Sequence, residues 1–124
     1  MLDRVFDWNT VEPRTIIPGF EGRFIHTDSM TFVLWTIAAG AVLPEHNHVH
    51  EQVAYMLAGD FELVVEGEAI RMKPGMVVDV PSYARHSARA LADCTILDVF
   101  SPVREDYRSV AGPTILGTAA STAR

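Results

Sequence analysis

The stretch PEHNHVHEQ, residues 44–52, holds three of the five histidines in this chain of 124 residues. Histidine is the commonest ligand of borderline metals and binds them through a neutral ring nitrogen. Side chains alternate along a strand, so His46 and His48 would point to one face. A regular strand would add His50 and Gln52 to that face, which would overfill one coordination sphere. The alternative is a solvated strand end or a histidine that acts as acid or base without metal.

A further candidate ligand lies in the stretch GMVVDVPSYARHSARA. His86 follows Pro81 by five residues in a strand-like piece. It is distant from the first histidines in sequence, but a barrel could bring it beside them. Three imidazoles within five residues, together with this fourth, favour a metal site.

The elements that must position these residues are short strands. Glycine, proline and aspartate turn signals recur at close intervals, and the runs between them are rich in β-branched, aromatic and aliphatic residues. This pattern is typical of an all-β sandwich or barrel. FELVVEGEAIRM predicts a hairpin that turns at residues 66–68, with Phe61, Leu63 and Val65 on one face. Residues 103–108 could form one helical turn, and 109–124 are expected to be a loose tail.

The strand TILDVF carries an aspartate in an apolar setting. Thr95, Leu97 and Val99 share one face, which is apolar enough to pack between two sheets, and this places Asp98 on the opposite face with Phe100. Burying an aspartate is costly unless it is paired or hydrogen-bonded. One reading is an ion pair of Asp98 with Arg104, Arg85 or Arg89. Taken separately, Phe100 could be simple barrel core, and the default for Arg104 is a surface arginine.

Composition limits the classes of function. The chain has the length of one domain, and its 48% hydrophobic content can form a core. A net charge of −6 without any basic run argues against a nucleic-acid partner. Neither a signal-peptide core nor an apolar run of the ~18 residues that span a bilayer is present. The single cysteine, Cys94, excludes an intrachain disulfide, and we expect a cytoplasmic protein.

Two segments of the chain resemble the conserved motifs of the cupin family. Gly40, His46, His48, Gln52 and Gly59 follow the spacing of the first motif, which normally carries glutamate at the Gln52 position. A second set follows the spacing of the second motif: Gly75, Pro81, Tyr83 and His86. The resemblance implies a single-domain, antiparallel jelly-roll β-barrel with a core at about 14–102. It also implies one divalent transition metal (Zn, Ni, Fe, Mn or Co) held by His46, His48, Gln52 and His86.

The segment DVFSPVREDY narrows the resemblance to KdgF-type cupins, which act on unsaturated uronates from pectin or alginate. In that group the residues at the positions of Asp98, Phe100 and Arg104 are implicated in catalysis. The implied reaction opens a 4,5-unsaturated uronate, a small anionic substrate, to its linear keto acid. The family pattern leaves His50 as an outer or mouth residue and turns Glu51 away from the metal. It also implies a homodimer.

Two other functions remain open from the sequence. One is an Fe(II)-dependent dioxygenase, a common activity among single-domain cupins. The other is a non-catalytic, metal-containing module that binds a sugar or small anion. Gln52 argues against the dioxygenase, because a neutral carboxamide leaves the metal more positive than a carboxylate would. Such a site is a stronger Lewis acid and favours Fe(III) less.

Overall fold

Residues 4–108 are described by the structure, which is a computed structural model. The tail expected at 109–124 lies outside the described residues. Within them, ten strands form the fold: β1 (Arg14–Ile17), β2 (Phe20–His26), β3 (Thr31–Ile37), β4 (Val42–His46), β5 (Glu51–Ala58), β6 (Phe61–Val65), β7 (Glu68–Met72), β8 (Val77–Val80), β9 (His86–Ala90) and β10 (Cys94–Ser101). A short 3-10 turn (Trp8–Thr10) precedes them, and α1 (Glu105–Arg108) follows.

The strands pair antiparallel into two sheets. The larger sheet has the order β1-β2-β3-β10-β5-β8, and the smaller has the order β4-β9-β6-β7. The predicted all-β, antiparallel barrel is therefore confirmed. Among the described residues, no helix is both long and apolar enough to cross a bilayer.

Strict alternation of side chains builds the interior between the sheets. In β3, Val33, Trp35 and Ile37 are buried, whereas the residues between them are more exposed. In β6, Phe61 and Leu63 are buried on the face predicted from the sequence. The β6–β7 hairpin closes through Glu66 and Gly67, both with positive φ. Two such residues form the tight turn whose twist matches that of the flanking strands, so the predicted hairpin is confirmed.

The orientation predicted for β10 is wrong. Its buried residues are Cys94, Ile96, Asp98 and Phe100, whereas Thr95, Leu97 and Val99 are only partly buried. The inner face of β10 is the one that carries the aspartate, because the interior of this barrel holds polar side chains beside its apolar core. Alternation identified the two sets of residues correctly, but apolarity did not reveal which set faces inwards.

The outer face of the larger sheet is apolar across four strands. Leu97 lies opposite Leu34 on one side and Tyr55 on the other, and Tyr55 lies opposite Val77 on the edge strand. Val77 remains 59% exposed and Tyr55 40% exposed. We call these four residues the outer patch. A strand that is apolar on both faces is typical of a sheet covered on both faces.

Candidate functional site

Three histidines from two strands and a loop converge inside the barrel. His46 ends β4 and lies directly opposite His86, the first residue of β9. His48 follows in the loop that leads to β5. The ring centroids of His46 and His86 are 4.3 Å apart, and those of His48 and His86 are 4.9 Å apart. One nitrogen from each ring lies within 4.8 Å of the others, which suits ligation of a single ion.

Backbone carbonyls fix the orientation of all three rings. The Nδ1 atoms of His46, His48 and His86 lie 2.9, 3.0 and 2.9 Å from the carbonyl oxygens of Pro44, His50 and Ala84, respectively. A carbonyl only accepts, so each Nδ1 carries the proton and each Nε2 carries a lone pair. Metal-binding histidines usually donate the ring N–H that does not face the metal to such a carbonyl or to a carboxylate.

The free lone pairs fit a cation. The Nε2 atoms of His48 and His86 are buried and have no hydrogen-bond partner. Buried polar atoms are rarely left unpaired, because the loss of their hydration is costly. Three convergent neutral imidazoles supply the donor set preferred by borderline transition metals, without distinguishing among them.

Burial keeps these histidines neutral. It lowers the pKa of His46 to about 4, helped by the neighbouring His86. The pKa of His48 falls further, through burial and then the charge of Arg104, and that of His86 is also lowered by burial. All three rings are therefore deprotonated at pH 7, the form that binds metal.

Metal binding should consequently depend little on pH in the mildly acidic range. Three ordinary imidazoles with a pKa near 6.5 would lose about 60-fold in metal affinity between pH 8 and pH 6, because protons compete. Here the lowered pKa values postpone that competition to more acidic pH. We expect the zinc dissociation constant, measured by titration calorimetry, to change by no more than about threefold over that range. A decline as steep as that of free imidazoles would contradict this description of the site.

Gln52 and Asp98 extend the site along the larger sheet. Gln52 lies on β5 opposite Phe100 and is 7% exposed. Asp98 is equally buried, and its Oδ2 accepts a 2.9 Å hydrogen bond from the indole Nε1 of Trp35, whereas its Oδ1 has no partner. Burial raises the pKa of Asp98 to about 6, and the neighbouring Gln52 amide and Trp35 indole limit the rise. Asp98 can therefore exchange a proton near neutral pH.

Arg104 is buried rather than at the surface. Only 2% of it is exposed, and its guanidinium carbon lies 4.7 Å from the ring centre of Phe100 and 4.0 Å from that of Tyr107. Its Nε and Nη2 bind the two carboxylate oxygens of Asp106 at 3.0 and 2.8 Å. Its backbone N–H donates to the hydroxyl of Thr31, which anchors the start of α1 to β3.

The ion pairs considered for Asp98 are not formed. Arg104 pairs with Asp106, Arg85 pairs with Glu45, and Arg89 pairs with Glu62. Asp98 lies inside the barrel, whereas Arg85 and Arg89 are exposed to solvent. Arg104 is buried near Asp98, but its Nε and Nη2 are taken by Asp106. The indole of Trp35 takes the place of a cation.

One cavity unites the predicted residues. His46, His48, Gln52, His86, Asp98, Phe100 and Arg104 all line it, together with Trp35, Leu43 and Tyr107, which the sequence did not single out as site residues. Its volume is about 30 Å³, enough for an ion or a water molecule. The ring of His50 lies 5.4 Å from that of His48, but His50 is not among the three convergent ligands. Alternation in β3 could have pointed to Trp35, whereas Tyr107 ends the segment DVFSPVREDY but received no role from the sequence.

A two-sheet antiparallel barrel with a buried histidine cluster is the arrangement expected of a cupin. Residues 33–100 match the Cupin domain family (Cupin_2), and the chain belongs to the cupin family.

Among named relatives, the chain is similar to KdgF proteins. It is 36% identical over 83 residues to the pectin degradation protein KdgF of Dickeya dadantii, which covers 65% of this chain and 76% of that protein. The structure of KdgF from Halomonas sp. superposes with a TM-score of 0.77 at 33% identity, covering 82% of this chain and 97% of that one. An RmlC-like cupin from Shewanella frigidimarina gives 0.76 at 28% identity, covering 80% and 90% of the two chains. The KdgF-type resemblance is therefore confirmed.

Proposed function

We propose that this chain is a metal-dependent isomerase that opens 4,5-unsaturated uronate monosaccharides to the linear keto acid. The observation that carries the proposal is the content of one small cavity. It holds the convergent histidine nitrogens beside Asp98, a buried carboxylate whose Oδ1 has no partner. The similarity to pectin degradation proteins supports a uronate as substrate.

His46, His48 and His86, with the carboxamide oxygen of Gln52, would hold the metal. When bound, the metal would act as a Lewis acid that stabilises negative charge on a substrate oxygen. The chain's own residues handle the protons.

In the proposed reaction Asp98 moves a proton within the substrate. A 4,5-unsaturated uronate is a cyclic hemiacetal whose ring oxygen is attached to the C4=C5 double bond. Asp98 Oδ1 takes the proton of the C1 hydroxyl, the C1=O bond forms, and the bond from C1 to the ring oxygen breaks. The same carboxyl returns the proton to C4 as the C5 oxygen becomes a ketone. Atoms and electrons balance without an oxidant or reductant, and a pKa of about 6 suits both directions of transfer.

In the proposed reaction Arg104 binds the substrate carboxylate. Asp106 holds the Nε–Nη2 edge of its guanidinium, and the Tyr107 side chain is a further hydrogen-bond partner, so a substrate carboxylate would bind through the remaining N–H groups. Stacking against Phe100 and Tyr107 holds the guanidinium plane in place. A fixed planar fork suits bidentate recognition of a carboxylate.

Substrate binding requires the cavity to enlarge. A volume of about 30 Å³ does not hold a monosaccharide, and ligand pockets commonly measure roughly 300–1,000 Å³. Residues 103–108 supply Arg104 and Tyr107 to the cavity wall. We expect the cavity to widen when substrate enters.

The proposal is tested with the 4,5-unsaturated galacturonate monomer. The ultraviolet absorbance of its conjugated alkene should disappear faster with the metal-loaded protein than in a no-enzyme control. The control is needed because the substrate rearranges slowly unaided. Lack of acceleration by protein confirmed to hold metal would refute the isomerase, and iron-dependent oxygen consumption would favour the dioxygenase instead.

Arg104→Met should weaken substrate binding while retaining metal. We expect kcat/KM for the unsaturated uronate to fall by about 100-fold, mainly through KM, because one buried charge-assisted contact is lost. Arg108→Met is the matched control on the same helical turn, since Arg108 is 46% exposed and pairs with Glu105. Equal kinetics in the two variants would remove Arg104 from substrate recognition.

We also propose that a second copy of the chain covers the outer patch and forms the homodimer that the family resemblance implies. Val77→Glu should then shift the mass measured by light scattering from dimer to monomer. Val42→Glu is the matched control, because Val42 is 55% exposed on the other sheet, compared with 59% for Val77. A wild-type monomer, or a dimer insensitive to Val77→Glu, would contradict this interface.

A further inference from the structure

We propose that Trp35 is a positioning residue that ties down one oxygen of Asp98 and thereby presents the other to the histidine cluster. The inference rests on the proposed function, because it concerns the residue assigned there to proton transfer. It assigns to Trp35 a role beyond packing in the core.

The contact joins neighbouring strands inside the barrel. Trp35 lies on β3 and Asp98 on β10, one diagonal step apart, because Trp35 lies opposite Ile96. The indole Nε1 donates to Asp98 Oδ2 at 2.9 Å, and Trp35 is only 3% exposed. A hydrogen bond to an ionised acceptor in a buried setting is among the stronger ones.

The bond makes the two oxygens of Asp98 unequal. Oδ2 has a partner, whereas Oδ1 is buried without one, and the side chain lines the cavity of the three histidines. An untethered carboxylate could rotate and present either oxygen, whereas a tethered one keeps the same oxygen towards a ligand. Fixed orientation of a catalytic group is worth up to about 100-fold in rate, because small misplacements are costly.

Packing uses the size of the Trp35 indole, whose six-membered ring fills the space beside Gly22, but packing does not use its N–H group. Its rings make edge contacts with Phe20, Phe24 and Tyr107, at centroid distances of 5.9, 5.7 and 6.4 Å. Phenylalanine could make contacts of the same kind. The N–H group is what distinguishes tryptophan, and Asp98 is where it points.

The pairing is tested first by a spectroscopic measurement that does not depend on turnover. The chain has two tryptophans, Trp8 and Trp35, and so two indole N–H signals in a nitrogen-15 spectrum. Trp35→Phe removes and thereby assigns one of them. We expect the Trp35 signal to lie downfield of the Trp8 signal and to move upfield in Asp98→Asn, while the Trp8 signal stays. A Trp35 signal that Asp98→Asn leaves in place would overturn the proposal.

A double-mutant cycle then tests how the pairing acts. Trp35→Phe should lower kcat by about 10- to 100-fold, with KM and zinc affinity within about twofold of wild type. In the Asp98→Asn background it should cause no further loss, because it acts through Asp98. Equal losses in both backgrounds would reduce Trp35 to a packing residue. If the wild type has no activity on the uronate, the proposed function fails, whereas the indole signal still decides the pairing.

Discussion

His48→Ala is expected to abolish metal binding and turnover together. His48 is 4% exposed and contributes one of three convergent nitrogens, so its removal leaves a site with two imidazoles. Loss of an outer partner of a metal ligand costs roughly 10- to 100-fold in affinity, and loss of a ligand should cost more. We expect the zinc content after dialysis, measured by plasma mass spectrometry, to fall from one equivalent to below a tenth, with turnover at the no-enzyme rate.

His50→Ala is the control for that experiment. The His50 ring lies beside His48, and its backbone carbonyl, which orients His48, survives the substitution. We expect this variant to retain one equivalent of zinc. Metal retained in full by His48→Ala, or lost equally in both variants, would mean that the convergent histidines are not the metal site.

Asp98→Asn should have the second largest effect, and it should separate activity from stability. Turnover of the unsaturated uronate is expected to fall by about 10²- to 10⁴-fold, because the amide cannot accept and return a proton. Zinc binding should persist, because Asp98 is not one of the three histidine ligands. Asp79→Asn, at a carboxylate on the edge strand β8, is the control that should retain activity.

The same substitution should stabilise the metal-free protein at high pH. The folded pKa of Asp98, about 6, lies above its ordinary value of 3.8, so the folded state binds the proton more tightly. That contribution is present at low pH and is lost as pH rises through about 6. At pH 8 the buried charge costs up to about 3 kcal/mol, which Asp98→Asn removes. Urea unfolding of both proteins at pH 5 and pH 8 would test this, and a destabilised variant at pH 8 would contradict it.

The sequence predicted the histidine cluster through the spacing of the family motifs more than through local rules. His46 and His48 are two residues apart, and His86 could be placed only because a barrel can bring β4 and β9 together. The family pattern, rather than alternation, separated His50 from the ligands. The structure agrees with that separation, since the chain leaves the strand after His46 and His48 already lies in a loop.

The environment of the other site residues depends on long-range packing, which sequence patterns do not encode. Both faces of β10 are largely apolar, so alternation alone could not tell that Asp98 faces inwards. Arg104 is buried only because α1 turns back onto the barrel. There the guanidinium forms an ion pair with Asp106 and lies over the ring of Tyr107. Tyr107 itself follows the last strand in a segment without any periodic pattern.

The measurement that tests the central claim most directly compares one protein preparation with and without metal. The substrate, 4,5-unsaturated galacturonate, is mixed with three kinds of sample: chelated protein, reconstituted protein and buffer alone. Reconstituted protein is the chelated protein after addition of one equivalent of zinc, nickel, iron(II), manganese or cobalt. Loss of ultraviolet absorbance gives the rate, and proton NMR identifies the product. We predict that at least one metal restores a rate well above that of buffer, that chelated protein matches buffer, and that the product is the linear keto acid. The metal-dependent isomerase would be contradicted if each metal bound at one equivalent and none raised the rate above that of buffer. It would also be contradicted if chelated protein were as fast as reconstituted protein.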